Sequence, residues 1–261
     1  MSKLVILGSG AAPGVPSVSG GWGACNPTNP KNNRQRAGAY LTDGTTQILI
    51  DTSPDLKNQL IANNITVVDG VLYTHTHADH LHGIDDLRGI TRNTGKSLNF
   101  YAIAPQIAEI KERFRYVFSN VEHYQITNHP ELLPVEIEYG KEFDLGTFKI
   151  RPLEFGGHSV ATTGYCFNGG QVVLVPDFKL IPEQSLAYLQ QIDVNVLIMP
   201  LTILHGGRYH ANIDIILHYA SLIKAKRVIL THMATECDYD EVMKLTPENM
   251  EPAFDNMVIE F

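Results

Sequence analysis

The sequence predicts an α/β protein with two sheets packed face to face and helices outside. Three observations lead there. Apolar runs rich in Val, Ile, Leu and Tyr recur in both halves of the chain, bounded by Gly, Asp and Asn, as strands are. Helical patterns separate these runs in both halves. With 261 residues, 44% of them hydrophobic and 18% charged, the chain can bury a substantial core without covalent staples. No charged linker, low-complexity tract or short-period repeat divides it, so residues 1–261 are expected to form a single domain.

The first strand is expected at Lys3–Leu7, followed by the glycine-rich stretch Gly8-Ser9-Gly10-Ala11-Ala12-Pro13-Gly14-Val15-Pro16. Its glycines lack the spacing of a dinucleotide-binding loop, and Pro13 and Pro16 block a following helix. A loop whose backbone approaches a metal or a phosphate is expected instead. Gly38–Leu41 and Gln47–Asp51 read as a hairpin across Asp43-Gly44. Ser53 reads as the N-cap of a helix over Pro54–Asn63, with proline at its first position. Strand Gly70–Tyr73, helix Ile84–Arg92, strand Leu98–Ala102 and helix Ala104–Tyr116 come next. Phe118–Leu133 is the longest irregular stretch; it carries His123, Tyr124 and His129 and is read as a surface loop, with a lid as the alternative. Strands Thr147–Leu153, Thr163–Phe167 and Val172–Val175 open the second half, the last two joined by a turn at Gly169-Gly170. Helix Pro182–Gln191, strand Val194–Met199, helix Ile213–Ile223, strand Arg227–Leu230, helix Tyr239–Lys244 and strand Met257–Phe261 complete the pattern.

A net charge of −8 argues against broad polyanion binding, though not against a local basic cleft. Cys25, Cys166 and Cys237 are too few and too widely spaced for a disulfide framework, and they fit a reducing cytoplasm. The apolar run at Leu4–Leu7 is too short for a signal peptide, and no later run is long enough to span a membrane.

The chemistry is concentrated in His75-Thr76-His77-Ala78-Asp79-His80, an H-x-H-x-D-H cluster directly after the buried-strand pattern Val71-Leu72-Tyr73. Buried imidazoles and carboxylates need polar partners, so packing alone does not explain the cluster. Imidazole with carboxylate suits zinc, and oxygen-richer sets admit manganese or iron. Period-2 alternation turns His75 and His77 the same way to clasp one ion, while Asp79 and His80, a turn further on, face a second. Three more ligand types follow strand patterns at once: His158 after Leu153-Glu154-Phe155-Gly156-Gly157, Asp177 after Val172–Pro176, and His232 after Val228–Thr231. A lone strand-end histidine is more often structural; three such residues together with the cluster point to a metal centre on a rigid scaffold.

In this order the motifs resemble those of the metallo-β-lactamase superfamily of hydrolases, over nearly the whole chain. The resemblance implies an αββα sandwich of two mixed sheets and two divalent ions, zinc or manganese. It places His75, His77 and His158 in the first metal site, Asp79, His80 and His232 in the second, and Asp177 as the bridge. True β-lactamases of this fold usually carry Cys at the bridging position, so antibiotic hydrolysis is disfavoured.

The chain is more closely similar to the phosphoribosyl 1,2-cyclic phosphate phosphodiesterases of phosphonate breakdown. Gly8–Pro16, Trp22-Gly23-Ala24-Cys25, Pro30–Arg36, Gly83-Ile84-Asp85-Asp86-Leu87-Arg88, Tyr209-His210-Ala211-Asn212-Ile213 and Ala253-Phe254-Asp255-Asn256-Met257 carry that likeness. It departs where the family builds an extra structural zinc site: only Cys25 remains in the N-terminal region, and Thr235 stands where a histidine is needed. The extra site is therefore expected to be absent.

The implied function is hydrolysis of a small phosphodiester, expected to be cyclic and to contain a sugar or nucleotide, to a monoester by a hydroxide shared between the ions. Asp79 would orient that hydroxide, and His210, no metal ligand, would protonate the leaving oxygen. Arg34, Arg36 and Arg88 are candidate phosphate contacts, because guanidinium pairs with phosphate oxygens; a structural ion pair is the alternative for each. His205 and Arg208, beside His210, are further candidates, while His82 and His218 read as structural or surface residues. The expected partner is a small phosphodiester, with no membrane and no nucleic acid, and homodimer formation is left open. Rival readings are a ribonuclease Z-like nuclease, which needs a tRNA-gripping arm not seen here, a glyoxalase II-like thioester hydrolase, a relative of the pyrroloquinoline quinone biosynthesis protein, and an inactive metal-bound module.

Overall fold

In the computed structural model, which describes residues 2–118 and 131–261, each of two sheets has seven strands. The first sheet is laid down as β1 (Lys3–Gly8), β2 (Gly38–Thr42), β3 (Gln47–Ile50), β4 (Gly70–Leu72), β5 (Leu98–Ala102) and β6 (Leu132–Glu136). The second is laid down as β7 (Phe143–Leu145), β8 (Phe148–Phe155), β9 (Thr162–Phe167), β10 (Val172–Leu174), β11 (Val196–Pro200), β12 (Arg227–Thr231) and β13 (Met250–Pro252). β14 (Met257–Glu260) then returns to the first sheet and pairs with β1. The spatial orders are β14-β1-β2-β3-β4-β5-β6 and β13-β12-β11-β10-β9-β8-β7. Both sheets are mixed: from β14 to β3 and from β7 to β10 the pairs are antiparallel, and the remainder are parallel.

Side-chain alternation builds four layers. Leu4, Ile6, Leu41, Ile48 and Ile50 of the first sheet meet Phe148, Ile150, Tyr165, Ile198 and Ile229 of the second in the central core. The intervening residues Val5, Leu7, Leu49 and Val71 face α1 (Leu56–Ala62), α2 (Ala78–Leu81), α3 (Leu87–Thr94) and α4 (Ala104–Arg113), whose Leu60, Leu81, Ile90 and Ile110 pack onto them. On the far side, Val173, Leu197, Met199 and Leu230 meet Leu189, Ile216 and Val242 of α5 (Glu183–Gln191), α6 (Ile213–Ile223) and α7 (Tyr239–Leu245). Because both faces of each sheet are covered, the strands read as continuous apolar runs rather than as alternating ones. The expected αββα sandwich is what the chain forms.

Three strands escape the sequence pattern, and all three are sheet edges: β6, β7 and β13. β6 contains Pro134, which an edge accepts, and β7 and β13 have only three residues each, too few to show a strand composition. The expected Pro54–Asn63 helix begins only at Leu56. Ser53 Oγ accepts from the Asp55 amide at 3.2 Å, so it closes a turn ahead of the helix rather than capping it. Ile84–Arg92 starts as a 3-10 turn, Ile84–Asp86, before α3, and Ala104–Tyr116 breaks at Phe114. Of the loop expected over Phe118–Leu133, residues 119–130, with His123, Tyr124 and His129, lie outside the described residues, and Leu132 and Leu133 already belong to β6.

Candidate metal centre

The cluster sits at the seam between the sheets. After β4 the chain runs extended through Thr74-His75-Thr76-His77 and turns into α2, which carries Asp79 and His80. The turn that follows presses against the main chain of Ser53, where a Cβ on Gly83 would lie 1.9 Å from the Ser53 carbonyl oxygen. Only glycine fits there, and Thr52 N–H reaches the His80 carbonyl at 2.8 Å across the same contact. The second sheet contributes His158 beyond β8, Asp177 beyond β10 and His232 directly after β12.

The seven ligand-type residues converge. His158 Nε2 is 3.0 Å from His77 Nδ1. His232 Nε2 lies 3.2 Å from Asp79 Oδ2 and 3.3 Å from His80 Nε2. Asp177 Oδ2 stands between the two groups, 4.0 Å from His75 Nε2, 4.0 Å from His158 Nε2, 3.9 Å from His80 Nε2 and 3.4 Å from His232 Nε2. Two sets, His75–His77–His158 and Asp79–His80–His232, each bring their donor atoms within 4.8 Å of one another, as an ion requires. His75 Nε2 and Asp177 Oδ1 are buried without any hydrogen-bond partner. Such orphaned atoms are costly unless a ligand engages them, so the residues fit divalent-metal binding, with Asp177 standing between the two sets.

Groups behind the imidazoles fix which nitrogen faces inward, and none of them stands out in the sequence. His158 Nδ1 donates to the Tyr209 carbonyl at 3.0 Å. His77 Nε2 contacts Ser159 Oγ at 3.1 Å. Asp51 serves both sets. Its Oδ2 accepts from His80 Nδ1 and from the Thr74 hydroxyl, each at 2.7 Å, and its Oδ1 accepts from the Thr74 amide at 2.8 Å. The Thr74 oxygen, its own proton given to Asp51, is left to accept from His75 Nδ1 at 3.0 Å. His75 and His80 therefore turn Nε2 inward, the arrangement that would serve a metal-bound histidine. Asp51 and His232 both hold left-handed backbone, φ 63° and 55°, a conformation that Asp and His enter more readily than most residues.

The electrostatics favour unprotonated donors. Burial and the neighbouring His80 hold His75 well below the ordinary histidine value, and burial with His158 lowers His77. Burial pushes Asp79 and Asp177 up, but the surrounding histidines outweigh it and hold both carboxyls below their usual range. His80 is the exception: burial lowers it, yet Asp51 and the other carboxylates raise it to about 10. A proton at His80 would balance the carboxylates in metal-free protein, and a bound ion would displace it.

His210 stands at the rim, its side chain 29% exposed and its Nδ1 3.7 Å from Asp177 Oδ2. Its loop is pinned by Lys179, which donates to the carbonyls of Gly207 and His210. His205 and Arg208 are exposed on the same loop, with the Arg208 guanidinium 5.1 Å from the Tyr209 ring. An open cleft lined by Thr76, His77, Ala78, His82, Arg113 and Phe114 adjoins His77.

Of the three candidate arginines, Arg34 departs from the expectation of a phosphate contact. Arg34 is only 2% exposed, with its guanidinium on Asn32 Oδ1 at 3.0 Å, Cys25 Sγ at 3.8 Å and the Ala234 carbonyl at 3.5 Å; it is turned into the fold and cannot present itself to a phosphate. Arg36 pairs with Asp55 at 2.8 Å. Arg88 is exposed on α3, electrostatically coupled to Tyr116. The glycine-rich loop also departs from expectation: Gly10 N–H is bound to Gln35 O and Ala11 N–H to Met233 O, while Ser9 O accepts from Met233 N–H. Its backbone buttresses the turn that carries His232 and leaves these amides unavailable to a phosphate.

A family profile described as a Beta-lactamase superfamily domain matches residues 46–233, which hold all seven converging residues. The octanoyltransferase of Porphyromonas gingivalis (strain ATCC BAA-308 / W83) is 26% identical over 98% of this chain, and the chain spans only 51% of that protein. A crystal structure of a diphosphatase from the PhnP family superposes with a TM-score of 0.87 at 27% identity, covering 100% of this chain and 98% of that one. Zn(2+)-bound PqqB from Methylobacterium extorquens shares the fold with a TM-score of 0.76 at 17% identity, covering 99% of this chain and 100% of that one. With the sandwich, the seam and the profile in agreement, the chain belongs to the beta-lactamase superfamily.

Proposed function

We propose that the protein hydrolyses a small phosphodiester to a phosphate monoester with two divalent ions, zinc or manganese, held by His75, His77, His158, Asp79, His80, His232 and Asp177. The observation that carries this reading is the double donor set with the orphaned Asp177 Oδ1 and His75 Nε2. Bound ions of this kind lower the pKa of water and polarise a phosphoryl oxygen. The chain supplies orientation and proton handling. Asp79, depressed and held by His232, stays an acceptor that orients the attacking water. His210, beside the bridge yet partly exposed, is placed to give a proton to the departing oxygen. Its ring is lowered by burial, offset by Asp177, which favours the neutral form.

The likeness to a PhnP-family diphosphatase supports phosphorus as the reacting centre, and it makes a diphosphate the second substrate class to test. The overall acidity and the lack of an obvious gripping arm in the sequence favour a small substrate over nucleic acid. Zinc- or manganese-loaded protein is assayed on bis-p-nitrophenyl phosphate, a ribose 1,2-cyclic phosphate and a dinucleotide diphosphate. His210→Ala is expected to lose about 10²–10⁴-fold on the sugar leaving group and little on p-nitrophenolate, which departs without a proton. Equal losses on both substrates, or loss of bound metal, would remove His210 from the acid role, and absence of turnover on all three substrates would overturn the hydrolase reading.

A further inference from the structure

Thr202 follows β11 and lies beside the turn that carries His232. The Leu201 amide extends the ladder to Thr231 O at 2.8 Å, and the Thr202 carbonyl accepts from the Ala234 amide at 3.3 Å. The residue is 9% exposed, and its hydroxyl touches two imidazoles at once: His232 Nδ1 at 3.0 Å and His210 Nδ1 at 3.2 Å. A hydroxyl has two lone pairs but one proton, so it donates to only one of them. The facing atoms decide which. His232 Nε2 points at Asp79, Asp177 and His80, the second donor set. Once that Nε2 gives its lone pair inward, the His232 proton sits on Nδ1 and is donated to Thr202. The Thr202 proton is then left for His210 Nδ1, which must accept it.

We propose that Thr202 is a positioning residue that fixes His210 in the tautomer carrying its proton on Nε2, the nitrogen turned away from Asp177 and Thr202. This rests on the assignment of His210 as the proton donor and deepens it: as Nε2 gives its proton to the departing oxygen, Nδ1 would take the Thr202 proton and Thr202 the one on His232 Nδ1, leaving the negative charge on His232 at the second ion site; an unfilled site leaves His232 free to take the Thr202 proton instead. Asp177 Oδ2, at 3.7 Å from His210 Nδ1, is too distant to compete as a hydrogen-bond acceptor. One threonine thereby links occupancy of the ion site to the state of the acid.

The test reads the tautomer directly. Long-range ¹H–¹⁵N correlation spectra of zinc-loaded, ¹⁵N-labelled protein are recorded, with His210 assigned by its disappearance in His210→Ala. The parent and Thr202→Ser should show the Nε2–H form, and Thr202→Val should shift towards Nδ1–H or a mixture. In parallel, kcat on a sugar leaving group should fall about 10-fold or more in Thr202→Val, short of the ~10²–10⁴ for loss of the acid itself, with KM unchanged and p-nitrophenolate release unaffected. Thr202→Ser should restore it. A Thr202→Val protein that keeps the parent tautomer, or a parent with its proton on Nδ1, overturns the proposal. Should the valine variant fail to hold zinc, the parent decides: a Thr202 hydroxyl proton correlated with His210 Nδ1 supports the proposal, and its absence overturns it. The spectra need no substrate, so failure of the phosphodiester reading shows separately as a parent without turnover.

Discussion

Asp51→Asn should weaken both ions while leaving the fold in place. Asparagine tolerates the left-handed backbone that Asp51 adopts at φ 63°, so the main chain is not newly strained. The amide oxygen can keep the Thr74 N–H bond made by Oδ1 at 2.8 Å. The amide nitrogen must then replace Oδ2, which accepts from His80 Nδ1 and the Thr74 hydroxyl, each at 2.7 Å. A donor facing the Nδ1–H of His80 is repulsive, and the ring relieves it by moving its proton to Nε2, the nitrogen that the ion needs. Thr74 must also turn its proton away, which disturbs the oxygen that receives His75 Nδ1. Loss of such an outer partner typically costs about 10–100-fold in metal affinity, and through Thr74 the loss reaches the His75 set as well. At about 1.4 kcal/mol per decade this is about 1.4–2.8 kcal/mol for the directly affected site. Competition with a chromophoric zinc chelator measures both affinities, with far-ultraviolet dichroism as the check on folding. Unchanged dissociation constants at both sites would refute the role given to Asp51.

Asp177→Ala should abolish turnover and lower bound metal below two equivalents, read by elemental analysis, because its carboxylate stands between both donor sets; wild-type rates at full metal content would exclude it as the bridge. Zinc at about 100 times its dissociation constant should stabilise the protein by about 2.7 kcal/mol. At about 2–4 °C per kcal/mol for a chain of this size, calorimetry should show Tm falling by roughly 5–10 °C on chelation. In metal-free protein the His80–Asp51 pair stabilises fully below the unfolded histidine value of about 6.5 and loses that contribution as pH rises through about 10. The Tm gap between parent and Asp51→Asn should therefore narrow across that window; a gap that widens would reverse the sign assigned. Arg34→Met should cost about 1–3 kcal/mol in urea unfolding, since it strips buried hydrogen bonds, yet leave KM unchanged. A raised KM with intact stability would return Arg34 to the substrate.

The seven converging residues were legible because they are rare polar types, gathered in one short motif or standing just beyond a buried apolar run, a local signal. Their outer partners were not. Asp51, Thr74, Ser159 and Thr202 are ordinary loop residues whose importance arises from contacts with residues far away in sequence, such as the 29 positions between Asp51 and His80 or the 30 between Thr202 and His232. Arg34 misled for the complementary reason: charge suggests the surface, but it is enclosed by Asn32, Cys25 and Ala234, the last 200 positions away. Central strands showed themselves by composition, whereas β7 and β13, with three residues each, were too short to do so.

Those hidden edges bear on how the protein behaves in a crowded solution. An open sheet edge offers unpaired amides and carbonyls to any passing strand, and proline, brevity and charge are what discourage such additions. β6 and β13 carry a proline, and β7 has three residues with exposed Asp144 at its middle. β14 has no proline; Met257 and Ile259 turn inward, and the outward residues are Val258, 51% exposed, and Glu260. Guarding of this last edge falls to one carboxylate, so uncontrolled strand addition between copies has its easiest entry at β14, and neutralising Glu260 would widen it without touching the metal centre.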